Sequence, residues 1–158
     1  MTRPALLSRI GAFLAAAGVT APKAAEATEP GWKLTEAQWR ARLSPQSFEV
    51  LRHHATEMPF SSPLDHEKRG GIYECAGCAL ALFSSKTKFD SGTGWPSFYA
   101  PLPSAVDTSY DYDLVVPRTE VHCHRCGGHL GHVFDDGPKP TGLRYCINGV
   151  ALTFKPEG

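Results

Sequence analysis

The spacing of apolar residues changes near Pro59. Upstream they recur at helical intervals, whereas downstream they come in short runs separated by glycine, proline and asparagine. Thr35 is followed three residues later by Gln38, with Trp39 and Leu43 beyond, so a capping box opens a short amphipathic helix there. In "SPQSFEVLRHHA", Ser44 stands as N-cap and Pro45 at the first helical position, which predicts a second helix to about His54. From Gly71 onward the runs "GIYEC", "LALF", "YDLVVPRTEVHC", "HVF", "LRYCI" and "VALTF" read as strands. Asn148-Gly149 separates the last two. Asn-Gly between strands signals a hairpin, which would place Cys146 near the tip of a C-terminal hairpin. The expected fold is mainly β, of α+β class, with short N-terminal helices packed on antiparallel sheet.

One of these strands has an unusual face. In "GLRYCINGVALTF", alternation sends Arg144, Cys146 and Asn148 to one side and the apolar Tyr145 and Ile147 to the other. Arg, Cys and Asn make a poor core and a plausible reaction site. Arg144 would favour the thiolate of Cys146, the form that reacts, and Asn148 offers amide hydrogens to a substrate oxygen.

The 158 residues suit one domain with a sizeable core. Lys and Arg together number 16, as do Asp and Glu, and no block of like charge points to nucleic acid or a membrane surface. A small or neutral substrate group fits this balance better. The leader is distinct: Arg3 and Arg9, an apolar run from Ile10 to Val19, then Ala25-Glu26-Ala27, the order of an export signal. The run is shorter than the roughly 20 residues a bilayer requires, so no permanent anchor is expected. Residues 1–27 are read as an export signal or a disordered leader that stays attached, and 28–158 as the functional domain. Export would place the protein in the periplasm; retention would leave it cytoplasmic.

Four of the five cysteines form two C-x2-C knuckles, Cys75 with Cys78 and Cys123 with Cys126. Four thiolates are what a tetrahedral structural zinc takes, although the 44 intervening residues require the fold to bring the knuckles together. Disulfides, a redox pair and plain core cysteines are the alternatives; redox C-x2-C motifs precede a helix, which neither pair does. Cys146 is left over. In "GGHLGHVFDDG", His129 and His132 lie near Asp135 and Asp136, and imidazole suits acid-base work near neutral pH; as zinc ligands they would have to displace two of four better-placed cysteines. Trp95, in the glycine-rich "FDSGTGWPSF", either plugs the core or offers its face to an apolar substrate group.

Taken in order, "CAGC", "FDSGTGWPSF", "CHRCGGHLGHVFDDGP" and "GLRYCINGVALTF" resemble the B-type methionine sulfoxide reductases, which reduce the R epimer of methionine sulfoxide in proteins. The similarity runs from about Lys33 to Phe154. It implies two antiparallel sheets and one structural zinc held by Cys75, Cys78, Cys123 and Cys126. It also implies Cys146 as the nucleophile, left as a sulfenic acid after attack on the sulfoxide sulfur. By the same resemblance Arg144 holds the site, Asn148 and His132 stabilise and protonate the departing oxygen, His129 with Asp136 supports them, and Trp95 packs on the substrate methyl. Many members carry a resolving cysteine where this chain has Thr93, so an external thioredoxin-like or glutaredoxin-like thiol donor is expected to recycle the enzyme. The rivals are a zinc-ribbon-like binding module without catalysis and a reductase of free methionine sulfoxide.

Overall fold

The computed structural model describes residues 24–158. Arg3, Arg9 and the Ile10–Val19 run lie outside the described residues, so the export reading falls there too. Ala24 and Ala27 are buried against the domain, where the Ala24 amide donates to the Arg52 carbonyl at 3.2 Å. Among the described residues no helix is long and apolar enough to cross a membrane.

Both helices form where their caps stand. Helix α1 spans Glu36–Arg42, with the Thr35 hydroxyl accepting from the Gln38 amide at 3.2 Å and the Gln38 side chain accepting from the Thr35 amide at 2.8 Å. Helix α2 spans Pro45–His53, capped by Ser44 and closed by His54 in the left-handed conformation (φ 57°). Phe48, Val50 and Leu51 are buried, and α2 packs on the strand that carries His129.

Nine strands make two antiparallel sheets among the described residues. They are β1 (Gly71–Cys75), β2 (Ala81–Ser84), β3 (Lys88–Phe89), β4 (Ser97–Phe98), β5 (Val106–Asp111), β6 (Arg118–Cys123), β7 (His129–Phe134), β8 (Arg144–Ile147) and β9 (Leu152–Pro156). The small sheet has the order β2-β1-β9, the large one β3-β4-β8-β7-β6-β5. Aromatic contacts join them: Phe98 of β4 stacks on Phe83 of β2 (centroids 4.4 Å apart) and meets Tyr73 of β1 edge-on (5.0 Å). Such pairs add about 0.5–1.5 kcal/mol each beyond the area they bury. Tyr145 faces this cluster, 5.9 Å from Phe83. Ile147 is fully buried, so the apolar face of β8 serves the core and the other face is left for chemistry.

Two sequence expectations fail. The C-terminal hairpin does not form, because β8 belongs to the large sheet and β9 to the small one. Asn148 has φ −66° and ψ 123°, not the positive φ that a tight Asn-Gly turn needs, and a single 3₁₀ turn over Gly149–Ala151 carries the chain from one sheet to the other. The buried Glu57 decides this. Its carboxylate accepts the amides of Gly149 and Val150, while its own amide donates to Asn148 Oδ1 at 3.0 Å. Gly149 is required for close approach, since a Cβ there would stand 1.9 Å from Ser62 Oγ.

The second failure is "YDLVVPRTEVHC" as one strand. Its first half is instead the exposed tip of the β5–β6 hairpin, residues 112–117, opened by the Asp113 amide donating to the Asp111 carboxylate at 2.9 Å.

Candidate active site

The two knuckles meet, as their spacing required of the fold. Cys75 ends β1 and Cys123 ends β6, and each begins a tight turn whose backbone closes on itself (Ala79 amide to Cys75 carbonyl 2.8 Å, Gly127 amide to Cys123 carbonyl 2.9 Å). All four cysteines are buried and free of disulfides, with their sulfurs within 4.8 Å of one another. The Cys75–Cys126 and Cys78–Cys123 separations are 3.7 and 3.5 Å. A tetrahedral metal with bonds of about 2.3 Å puts sulfurs roughly 3.8 Å apart, so the set can hold a metal ion with little adjustment. Three arginines that the sequence reading missed suit the negative charge of such a group. Arg52, Arg125 and Arg42 donate to the carbonyls of Cys126, Cys78 and Gly77 at 3.0, 3.2 and 3.4 Å.

Cys146 lies elsewhere, in a pocket of about 290 Å³ on the large sheet. Strand β8 runs between β4 and β7, so Cys146 pairs across the ladder with Ser97 on one side and His132 on the other. Gly131 lets the strands close, because a Cβ there would stand 2.0 Å from the Cys146 carbonyl oxygen. Arg144, Cys146 and Asn148 all line the pocket, as alternation along β8 predicts, and Trp95 and Thr93 reach it from the glycine-rich loop.

Each side chain is held in a definite state. Thr93 Oγ1 is 3.9 Å from the Cys146 sulfur and 2.8 Å from Ser91 Oγ, which in turn is 2.7 Å from Ser97 Oγ. Burial pushes the Cys146 thiol above its ordinary value, against the Thr93 hydroxyl and Arg144, which both favour the thiolate. Arg144 assists less than the sequence suggested, because its guanidinium is held by Asp136 (2.9 and 3.0 Å) and lies over the Phe134 ring at 4.4 Å. Asn148 gives one amide hydrogen to the Leu130 carbonyl (3.0 Å), which leaves the second for the pocket. Trp95 Nε1 donates to the Glu57 carbonyl at 3.2 Å, so one peptide segment anchors both the indole and Asn148.

The two histidines separate. His132 lines the pocket and its Nε2 lies 2.7 Å from Asp111, which also accepts from Arg118 at 2.9 Å. Burial lowers the His132 pKa while Asp111 opposes that. Burial works against the Asp111 charge, yet the Asp113 amide, His132 and Arg118 hold its carboxyl down at about 2. His129 stands behind His132, 5.4 Å away between ring centroids and only 2% exposed. Its Nδ1 meets Glu120 at 2.9 Å and its ring stacks on His54 at 4.7 Å. His129 and Asp136, both expected to support the site, lie on different partners: Asp136 binds Arg144, and Glu120 meets His129. Asp111, Arg118, Glu120 and His54 were missed. The available signal was Arg118 and Glu120 two apart in a strand, charges that share a face; nothing local marks Asp111 or His54.

A part-buried thiol in a small pocket, with an imidazole and one free amide hydrogen beside it, is equipped for thiol redox chemistry. Together with the two-sheet fold pinned at its four-cysteine end, that defines the class as thiol-dependent oxidoreductases. The SelR domain model matches residues 43–156, and the chain belongs to that family, the B-type methionine sulfoxide reductases. It is 50% identical over 130 residues to the peptide methionine sulfoxide reductase MsrB of Agrobacterium fabrum, covering 82% of this chain and 96% of that protein. The MsrB of Bradyrhizobium diazoefficiens is 56% identical over 124 residues (78% and 89%), and that of Methanosarcina barkeri 54% identical over 124 residues (78% and 87%).

Proposed function

We propose that this protein reduces methionine sulfoxide in proteins, acting on the R epimer, with Cys146 as nucleophile. The observation that carries the reading is Cys146 on the pocket face of β8 with Trp95, His132 and Asn148 around it. The Cys146 thiolate attacks the sulfoxide sulfur while the oxygen is hydrogen-bonded by Asn148 and protonated from the His132 side of the pocket. In the net step oxygen passes from the substrate sulfur to the cysteine sulfur. Methionine leaves as a thioether, reduced by two electrons, and Cys146 becomes a sulfenic acid, oxidised by two. Trp95 offers its face to the substrate methyl, Arg144 with Asp136 holds the pocket wall, and His129 with Glu120 holds His132 from behind. Cys75, Cys78, Cys123 and Cys126 hold a structural zinc that takes no part in the redox step. Export to the periplasm rests on the composition of the leader alone.

The assay is single turnover of N-acetyl methionine R- and S-sulfoxide, free and within a peptide, without added reductant. Reduction of the R epimer alone is expected, and reduction of neither overturns the proposal. The observed rate should rise with pH through neutrality and past the ordinary thiol range of about 8.5, because the raised Cys146 pKa delays thiolate formation to higher pH. A rate already level at pH 7 contradicts that.

The end state of the same experiment tests the recycling step. With Thr93 beside the sulfur and the other four cysteines buried 3.5–3.7 Å from one another in pairs, no thiol in the described residues is placed to condense with the sulfenate. Mass spectrometry should find one added oxygen on Cys146. An external thioredoxin-like or glutaredoxin-like dithiol then attacks the sulfenate, water leaves, and the mixed disulfide is resolved by the donor's second thiol. Thr93→Cys, with its side chain in reach of Cys146, should instead lose two hydrogens by forming a disulfide. A Cys146 disulfide in the unaltered protein would show that the resolving step is misassigned.

A further inference from the structure

Among the described residues every large apolar side chain that is exposed falls in one of two stretches: Met58 and Phe60, or Tyr110, Tyr112, Leu114, Val115 and Val116. Exposed apolar residues scattered singly are ordinary, but their confinement to two segments is not. Both segments are attached to the pocket. The first follows Thr56, which lines it, and Glu57, whose carbonyl holds the Trp95 indole; the Phe60 amide then donates to the Gly94 carbonyl at 2.7 Å, beside Trp95. The second is Tyr110 near the end of β5 with the tip of the β5–β6 hairpin, closed at its base by Asp111, bound to His132, and by Arg118, which lines the pocket. The tip residues have no packing duty, since Val115 is fully exposed and Val116 is 72% exposed.

We infer that these two segments form an apolar rim that docks the polypeptide on either side of a methionine sulfoxide, selecting segments whose neighbouring residues are apolar. The inference rests on the reductase reading above and deepens it. A pocket of about 290 Å³ takes in one side chain, so the backbone that bears it must pass over the mouth and touch whatever frames that mouth. Methionine is mostly buried among other apolar side chains, and its oxidation places a polar group in such a core and loosens it. The segment that then becomes accessible carries apolar neighbours, which the tip and the Met58–Phe60 loop can cover.

The test compares the unaltered protein with L114S/V115S/V116S, a variant that changes only exposed side chains, none of which lines the pocket itself. The substrates are N-acetyl methionine R-sulfoxide, a peptide with the R-sulfoxide between leucines and phenylalanines, and the same peptide with glycine and serine neighbours. Loss of three apolar contacts should lower kcat/KM on the apolar peptide roughly tenfold, mainly through KM. The other two substrates should be unaffected. Equal kcat/KM on the apolar peptide in both proteins, or an equal fall on all three substrates, overturns the rim. So does sedimentation showing a dimer that the variant loses while peptide kinetics stay unchanged, because the patch is then a contact between copies. An unaltered protein that reduces none of the three overturns the reductase reading itself, and the rim with it.

Discussion

Changing Cys146 to Ser abolishes sulfoxide reduction and leaves the fold standing. A serine hydroxyl in that pocket is a far weaker nucleophile than a thiolate, and its oxygen cannot accept the sulfoxide oxygen as a sulfur does in becoming a sulfenic acid. Removal of a catalytic nucleophile in other enzymes reaches about 10⁶-fold, and a loss of at least roughly 10⁴-fold in single-turnover rate is expected here. Stability should shift by less than about 1.5 kcal/mol, because oxygen for sulfur is nearly isosteric and the position is only partly buried. Chromatography of the sulfoxide substrate and a thermal melt settle both points. Turnover within tenfold of the unaltered protein would remove Cys146 from the mechanism.

Stripping the metal should undo the domain altogether. Structural zinc bound by thiolates contributes roughly 10–16 kcal/mol of coupled binding and folding energy. A domain of this kind is stable by only about 5–15 kcal/mol in total. Cys75 and Cys123 end β1 and β6, and Cys78 and Cys126 lie in the turns that follow, so a shared ion ties the small sheet to the large one. Without the ion, four buried thiolates are left to repel one another or take up protons, and the nearby Arg52, Arg125 and Arg42 lose the negative group they face. Cys123→Ser should therefore fail to give a cooperative unfolding transition, and chelation of the folded protein should abolish its near-ultraviolet circular dichroism. Elemental analysis should find one zinc per chain. Folded protein that is free of zinc and fully active would refute the assignment.

The parts of this protein legible in its sequence are those whose physical cause lies within a few residues. Thr35 with Gln38 and Ser44 with Pro45 start the two helices because caps act on amides three residues away. The faces of β8 were legible because strand alternation needs no partner: Tyr145 and Ile147 went to the core, and Arg144, Cys146 and Asn148 went to the pocket. The knuckles could be read from spacing, and the charge balance from composition.

Contacts between distant segments decided the rest. Asn148-Gly149 carries a strong hairpin signal, yet a carboxylate 92 residues away, that of Glu57, captures the Gly149 amide, and the chain crosses between sheets. Nothing around Asp111 announces that it will stand 2.7 Å from His132, and nothing around Asp136 says that it will serve Arg144 and leave His129 to Glu120. The run of Leu114, Val115 and Val116 looked like a strand because its residues are apolar, and only the placement of β5 beside β6 turned it into an exposed tip. The helices, the pocket face of β8 and the cysteine pairs follow from the order of residues, since propensity, capping and alternation are local. Tertiary structure alone decided which carboxylate meets which imidazole or guanidinium, and which backbone amides find their acceptors across the fold, since a buried polar group takes whatever partner the packing brings within hydrogen-bond reach.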